Sequence, residues 1–194
     1  MTSKRQHLVD IFLTKNNQIN LSAIRDEEGV RIKHIADSLE LTKIVDLSAH
    51  QTLMDVGTWW GFPLLALALY AQEHNLDLQL IGLDARRKKT LAVQEMAGEL
   101  WLDNTQTLRS RAEDHHQRYD IVTARAVAHV DTLLDWIVPL CEKGWLICLY
   151  KEFKQTERAA LLKHCKTHHL TLVKEHHYRL FDWDIERVLY ILQK

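Results

Sequence analysis

The residues able to do chemistry gather in a few places. In Leu53-Met54-Asp55-Val56-Gly57-Thr58-Trp59-Trp60-Gly61-Phe62-Pro63 a short apolar run meets a glycine, crosses a tight turn and enters the apolar stretch Leu64 to Ala71. This reads as a strand, a glycine turn and a helix start, with Pro63 in the first helical turn, where its missing N–H costs nothing. Such a turn sits at the carboxyl end of a sheet, where open α/β folds bind ligands. Asp84 follows Gly57 by 27 residues and ends the next apolar run. A carboxylate there either accepts hydrogen bonds from a ribose diol or caps the following helix. Next come Arg86, Arg87, Lys88 and Lys89. Cations in a first helical turn oppose the macrodipole at roughly 0.3–1 kcal/mol each, so the cluster suits either an anionic partner such as RNA phosphate or a solvated face.

The elements that must carry these residues follow from periodicity. Lys4 to Thr14 reads as a first helix; Asp26 caps a second, with Glu27 and Glu28 in its first turn and Ile32, Ile35, Ala36 and Leu39 as its buried face. From residue 53 strands and helices alternate: strands at Leu53–Val56, Leu78–Leu83, Thr105–Leu108, Tyr119–Thr123 and Trp145–Tyr150, helices at Leu64–Ala71, Arg86–Leu102, Val130–Leu140 and Glu157–His168. Leu170–His177 and Arg187–Leu192 close the chain as strands with only a short connection. The pattern predicts a doubly wound, mostly parallel α/β sheet ending in an antiparallel hairpin, preceded by a small helical cap. One domain is expected over 1–194, with the cap at 1–48 and a Rossmann-like core at 49–194. This is the usual layout of class I methyltransferases.

Composition narrows the class. The chain has 194 residues, 46% hydrophobic and 26% charged, with a net charge of −1, so any RNA contact must come from a local patch rather than a global field. No signal peptide or membrane-length apolar run is present, and Cys141, Cys148 and Cys165 show no C-x-x-C spacing. A cytoplasmic monomer is the expectation. The pairs His115-His116, His168-His169 and His176-His177 diverge on strands and helices alike, so no metal site is expected. Trp101, Trp136 and Trp183 are expected at the core or its edge rather than as base-stacking platforms.

The dinucleotide fingerprint G-x-G-x-x-G fails, because Trp59 replaces its second glycine. S-adenosylmethionine has no phosphate and asks less of such a loop. The chain resembles the RsmG/GidB family, methyltransferases of guanine N7 in small-subunit ribosomal RNA. The resemblance runs from about residue 16 to 152. It rests on Asn20-Leu21-Ser22-Ala23-Ile24, on His34 with Asp37-Ser38-Leu39, and on Asp55-Val56-Gly57-Thr58 with Gly61-Phe62-Pro63. Further matches are Leu83-Asp84 with Arg87-Lys88, Arg111-Ala112-Glu113, Tyr119 to Ala128, and Leu149-Tyr150-Lys151.

The resemblance implies a class I fold and S-adenosylmethionine as methyl donor. It implicates Gly57, Thr58, Gly61, Phe62, Asp84, Ala112, Glu113 and Arg125 in cofactor binding, and Arg87, Lys88, Arg125 and Lys151 in contact with ribosomal RNA or the small subunit. Guanine N7 has a free lone pair, so methylation there needs alignment and water exclusion rather than a base, and no catalytic residue is expected. Trp59, Trp60 and Leu64 stand where the family carries small residues. Either the pocket is remodelled around the tryptophans, or the chain is a non-catalytic relative that binds RNA or ribosomes.

Overall fold

The computed structural model describes residues 3–20, 22–181 and 185–194; Leu21 of the Asn20–Ile24 motif and Trp183 lie outside the described residues. The strands are β1 (Thr52–Val56), β2 (Gln79–Asp84), β3 (Thr105–Arg109), β4 (Tyr119–Arg125), β5 (Cys141–Glu152), β6 (Thr171–Arg179) and β7 (Glu186–Gln193). They form one sheet in the order β3-β2-β1-β4-β5-β7-β6. β1 to β5 pair in parallel, while β7 runs antiparallel to both β5 and β6. The expected doubly wound sheet with a terminal hairpin is therefore the observed one. Strand order reverses between β1 and β4, which puts a crevice at their carboxyl ends.

The strands alternate their side chains between two apolar layers. Leu53, Leu80 and Ile121 face a core shared with α1 (Lys4–Ile19), α4 (Leu64–Glu73) and α5 (Arg87–Glu99), while Met54, Ile81 and Val122 face a core shared with α6 (Val130–Ile137) and α7 (Gln155–Thr167). α4 is buried nearly all round, as its unbroken apolar sequence requires. In α6 the spacing Val130, Leu133, Leu134, Ile137 gives one buried stripe.

The cap departs from expectation in an instructive way. Asp26 caps α2 (Glu27–Gly29) as read, its Oδ1 accepting from the Gly29 N–H at 2.7 Å. A π-helical segment, Val30–Ala36, then runs into α3 (Asp37–Leu39). The wider turn shifts the buried face: Ile35 is buried, but Ala36 is exposed and His34, Asp37 and Ser38 are buried in its place. Asp37 is 1% exposed and accepts from Tyr178 Oη at 2.6 Å and from Arg187 through Nε at 3.2 Å and a terminal nitrogen at 3.0 Å; Arg125 pairs with it at 2.9 Å. Tyr150 Oη donates to the Ser38 carbonyl at 2.7 Å. One turn of cap thus gathers β4, β5, β6 and β7.

His34 completes the junction. Its Nδ1 receives an Arg125 N–H at 2.9 Å, which assigns the ring proton to Nε2, 3.3 Å from Ser22 Oγ. Burial, with the Arg125 charge adding to it, pushes its pKa down to about 3. The unfolded chain binds this proton below the ordinary histidine range and the native one does not, so the residue erodes stability as pH falls from 6.5 toward 3.

Trp101 corrects another expectation: it is 71% exposed at the amino-terminal end of the sheet, stacked on His7 at 5.9 Å, because the chain turns through a left-handed residue there, just past α5. Among the described residues no helix is long and apolar enough to cross a membrane.

Removing the Asp37 carboxylate leaves two guanidiniums and a phenol without their acceptor. Asp37→Ala should lower unfolding free energy in urea by about 3–5 kcal/mol. Leu91→Ala, at a half-exposed position of α5, should stay within roughly 0.5 kcal/mol of the parent.

Candidate functional site

The crevice is built by the chain leaving β1. Gly57 takes φ 67°, and a Cβ on it would meet Val127 Cγ2 at 2.7 Å; Gly61 takes φ 88°, and a Cβ there would meet Leu65 Cδ1 at 2.6 Å. Both positions therefore need glycine. Between them Trp59 takes φ 46°, a left-handed conformation that costs an ordinary residue about 1–2 kcal/mol. The Gly57 and Thr58 amides donate to the Leu83 carbonyl at 2.8 and 3.1 Å, and the Gly61 amide to the Thr58 carbonyl at 2.7 Å. These N–H groups are spent inside the fold and are not offered to a pyrophosphate.

Asp84 ends β2 beside this turn, 7% exposed. Its Oδ2 accepts from the Trp59 N–H at 3.3 Å and its Oδ1 from the Arg86 N–H at 2.8 Å. An ionised carboxylate offers about four lone-pair sites, so two remain for a ligand. Capping and ligand binding, open alternatives in the sequence, are here compatible.

Gly57, Trp59 and Asp84 form one side of an open cleft; Ala112 and Glu113, after β3, form another, and Val127 and Trp136 add apolar wall. The cleft encloses about 170 Å³, or about 560 Å³ with its open mouth included. The larger figure falls within the roughly 300–1,000 Å³ of small-molecule sites. An anchored acid, apolar walls and a loop with its amides already paired fit a nucleoside better than a nucleotide phosphate.

The two tryptophans turn toward α5. Lys89 is buried, 7% exposed, with its Nζ 3.8 Å from the Trp59 ring centre and 4.5 Å from that of Trp60. The indoles meet edge to face, 5.2 Å apart at 81°. A desolvated cation on an aromatic face is worth about 2 kcal/mol, enough to offset the left-handed turn at Trp59. Trp60 packs on the core, and Trp59 is a wall of the cleft rather than its filling. Burial lowers the Lys89 pKa, against the opposing pull of the Asp84 charge.

Other residues singled out in the sequence lie elsewhere. Thr58 is fully buried, and Phe62 is 4% exposed, stacked on His34 at 4.9 Å and edge-on to Phe12 at 5.4 Å. Gly61 faces α4 and α5 through Leu65 and Val93. Arg125 is engaged by Asp37, and Lys151 is 8% exposed with Nζ bonded to the Ala128 carbonyl at 2.6 Å and to Glu157 at 2.7 Å. Arg87 and Lys88 are exposed on the first turn of α5, together with Arg86; Arg109 and Arg111, at and beyond the end of β3, are exposed as well. Val127 and Trp136 were not singled out as cleft residues from the sequence. Their signal was position: both follow β4, one of the two strands that flank the reversal of strand order.

Beneath the turn, Asp55 is fully buried; its Oδ1 accepts from Thr123 Oγ1 at 2.9 Å, while Oδ2 and the Thr58 hydroxyl find no partner among the described residues. Burial pushes this carboxyl up to about 7, outweighing the Thr58 and Thr123 hydroxyls and the Arg125 charge.

Comparison with known proteins follows the same lines. The family model described as GidB, rRNA small subunit methyltransferase G, matches residues 1–180. A protein of Lysinibacillus sphaericus named Ribosomal RNA small subunit methyltransferase G is 30% identical over 192 residues, 95% of this chain and 79% of its own. Its namesake in Alkaliphilus metalliredigens is 36% identical over 146 residues, 72% of this chain and 59% of its own, so this chain spans well under two thirds of that relative. Among solved structures, a SAM dependent methyltransferase from Aquifex aeolicus superposes with a TM-score of 0.67 at 13% identity, covering 94% of this chain and 98% of its own. An O-methyltransferase from Bacillus cereus in complex with SAH gives 0.65 at 11%, covering 97% and 91%. These likenesses identify the fold as that of class I methyltransferases.

The raised Asp55 pKa has a measurable sign. Between pH 3.8 and about 7 the native state holds a proton that the unfolded state releases, so this residue costs stability as pH rises. Asp55→Asn removes the titration, and its stability relative to the parent should improve by about 1.4 kcal/mol per pH unit between roughly pH 4.5 and 6.5 in paired urea titrations. A difference independent of pH would show the carboxyl to be unperturbed.

Proposed function

The chain belongs to the GidB family, rRNA small subunit methyltransferase G, and on that premise we propose that it is an S-adenosylmethionine-dependent methyltransferase acting on guanine N7 of small-subunit ribosomal RNA. The observation that carries this reading is the open cleft between the β1 turn and Asp84, with Trp59 and Trp60 folded away onto Lys89. That geometry favours an enzyme over the non-catalytic alternative, which required the indoles to fill the pocket.

In this reading Asp84 accepts the ribose hydroxyls, its orientation fixed by the Trp59 and Arg86 amides. Ala112, Val127 and Trp136 give the base an apolar bed, and Glu113 stands at its edge. S-adenosylmethionine held there supplies an electrophilic methyl group on a sulfonium. The acceptor needs no deprotonation, because guanine N7 presents a lone pair, and the protein's work is alignment and exclusion of water. Arg86, Arg87, Lys88, Arg109 and Arg111 are exposed where β2 and β3 end and give an otherwise neutral protein a local cationic face for RNA phosphate. Arg125 and Lys151 serve that site indirectly, the first by holding the cap, the second by joining the chain after β4 to α7. The whole chain acts as one domain and one monomer in the cytoplasm, on free RNA or on the small subunit.

Calorimetric titration with S-adenosylhomocysteine should show saturable binding, weakened by about tenfold or more in Asp84→Ala, since a buried charged hydrogen-bond acceptor contributes roughly 1.5–3 kcal/mol. Small-subunit RNA incubated with the protein and S-adenosylmethionine should gain one methyl group on a guanine by mass mapping. Absence of saturable binding at millimolar ligand would refute the enzymatic reading.

A further inference from the structure

Within the cationic run that opens α5, Lys89 behaves unlike its neighbours. Arg86, Arg87 and Lys88 are exposed, whereas Lys89 is buried against the two indoles. Among the described residues no carboxylate comes within 4.0 Å of its nitrogen, so the aromatic faces are its nearest electrostatic partners. Trp59 is held at its backbone by Asp84 Oδ2 and at its ring by Lys89 and the edge of Trp60. The same residue is a cleft wall and is 37% exposed, so a rotation of its side chain would carry a large apolar ring into the adjoining space.

We propose that Lys89 is a positioning residue of the cofactor cleft: seated on Trp59 and Trp60, its ammonium holds the Trp59 indole as a wall and keeps it out of the ligand's space. The proposal rests on the reading of the cleft as a nucleoside site. It assigns a role to the one cation of the run that is withdrawn from solvent, and it explains how a chain with two bulky residues in this turn keeps its cleft open. The Asp84 carboxylate ties both ends together, because the acid that would receive the ribose also fixes the Trp59 amide.

Lys89→Met keeps the length and the apolar stem and deletes the charge; Lys89→Arg keeps a cation able to stack on indole. In the ligand-free protein, the edge-to-face Trp59–Trp60 pair should give an exciton couplet in far-ultraviolet circular dichroism. Lys89→Met should lose it and Lys89→Arg should keep it. Lys89→Met should also bind S-adenosylhomocysteine about tenfold more weakly by calorimetry, with Lys89→Arg close to the parent. A Lys89→Met protein that keeps both the couplet and the affinity overturns the positioning role alone. A parent protein that shows the couplet but no saturable binding overturns the nucleoside reading, and the positioning role with it.

Discussion

A single carboxylate fixes the relation between the two strand ends on which the site depends. Asp84 takes the Trp59 amide with one oxygen and the Arg86 amide with the other, joining the turn after β1 to the start of α5. Everything around the cleft is referred to this join. It sets the course of the turn between Gly57 and Gly61, the direction in which the cationic first turn of α5 leaves the sheet, and the side on which the Trp59 ring lies. The carboxylate is nearly buried yet borders open space, a position in which an acceptor is ordered before its ligand arrives and loses little entropy on binding.

A second acid, Asp37, does the corresponding work for the cap. Two guanidiniums and a phenol converge on it from β4, β6 and β7. Such a cluster is not a strong source of stability in itself, because desolvation of the charges offsets most of their attraction. Its effect is specificity: one cap orientation satisfies all the donors, and that orientation also stacks His34 on Phe62 of the β1 turn. The cap and the cleft are thereby mechanically continuous through Phe62, which the resemblance implicated in cofactor binding and which supports the turn from beneath.

The sheet order and both core layers were legible in the sequence because they depend on local periodicity. The alternation from Leu53 onward and the short connection before Arg187 sufficed for the parallel sheet and its hairpin. Strand ends such as that of β5, which begins at Cys141 rather than Trp145, were less so, since pairing partners rather than composition decide them. The cap's buried face was misread for a physical reason: His34, Asp37 and Ser38 are buried by partners 88 to 150 residues away, in a π-helical register that a period of 3.6 does not anticipate. Trp101 was misplaced because aromatic size suggests burial, whereas a left-handed turn carries it outward. Trp59 and Trp60 could not be placed at all from the turn itself. Their orientation is set by Lys89, thirty residues on, whose burial is hidden inside a run of like charges.

The most direct test of the account follows the tryptophans themselves by nuclear magnetic resonance of protein labelled with nitrogen-15 at tryptophan. On addition of S-adenosylhomocysteine, the Trp59 amide and the Trp59 and Trp136 indoles should shift saturably, while Trp101, at the opposite end of the sheet, stays in place. Saturable shifts at Trp101 with Trp59 and Trp136 unmoved, or no shift at any of them, would contradict it.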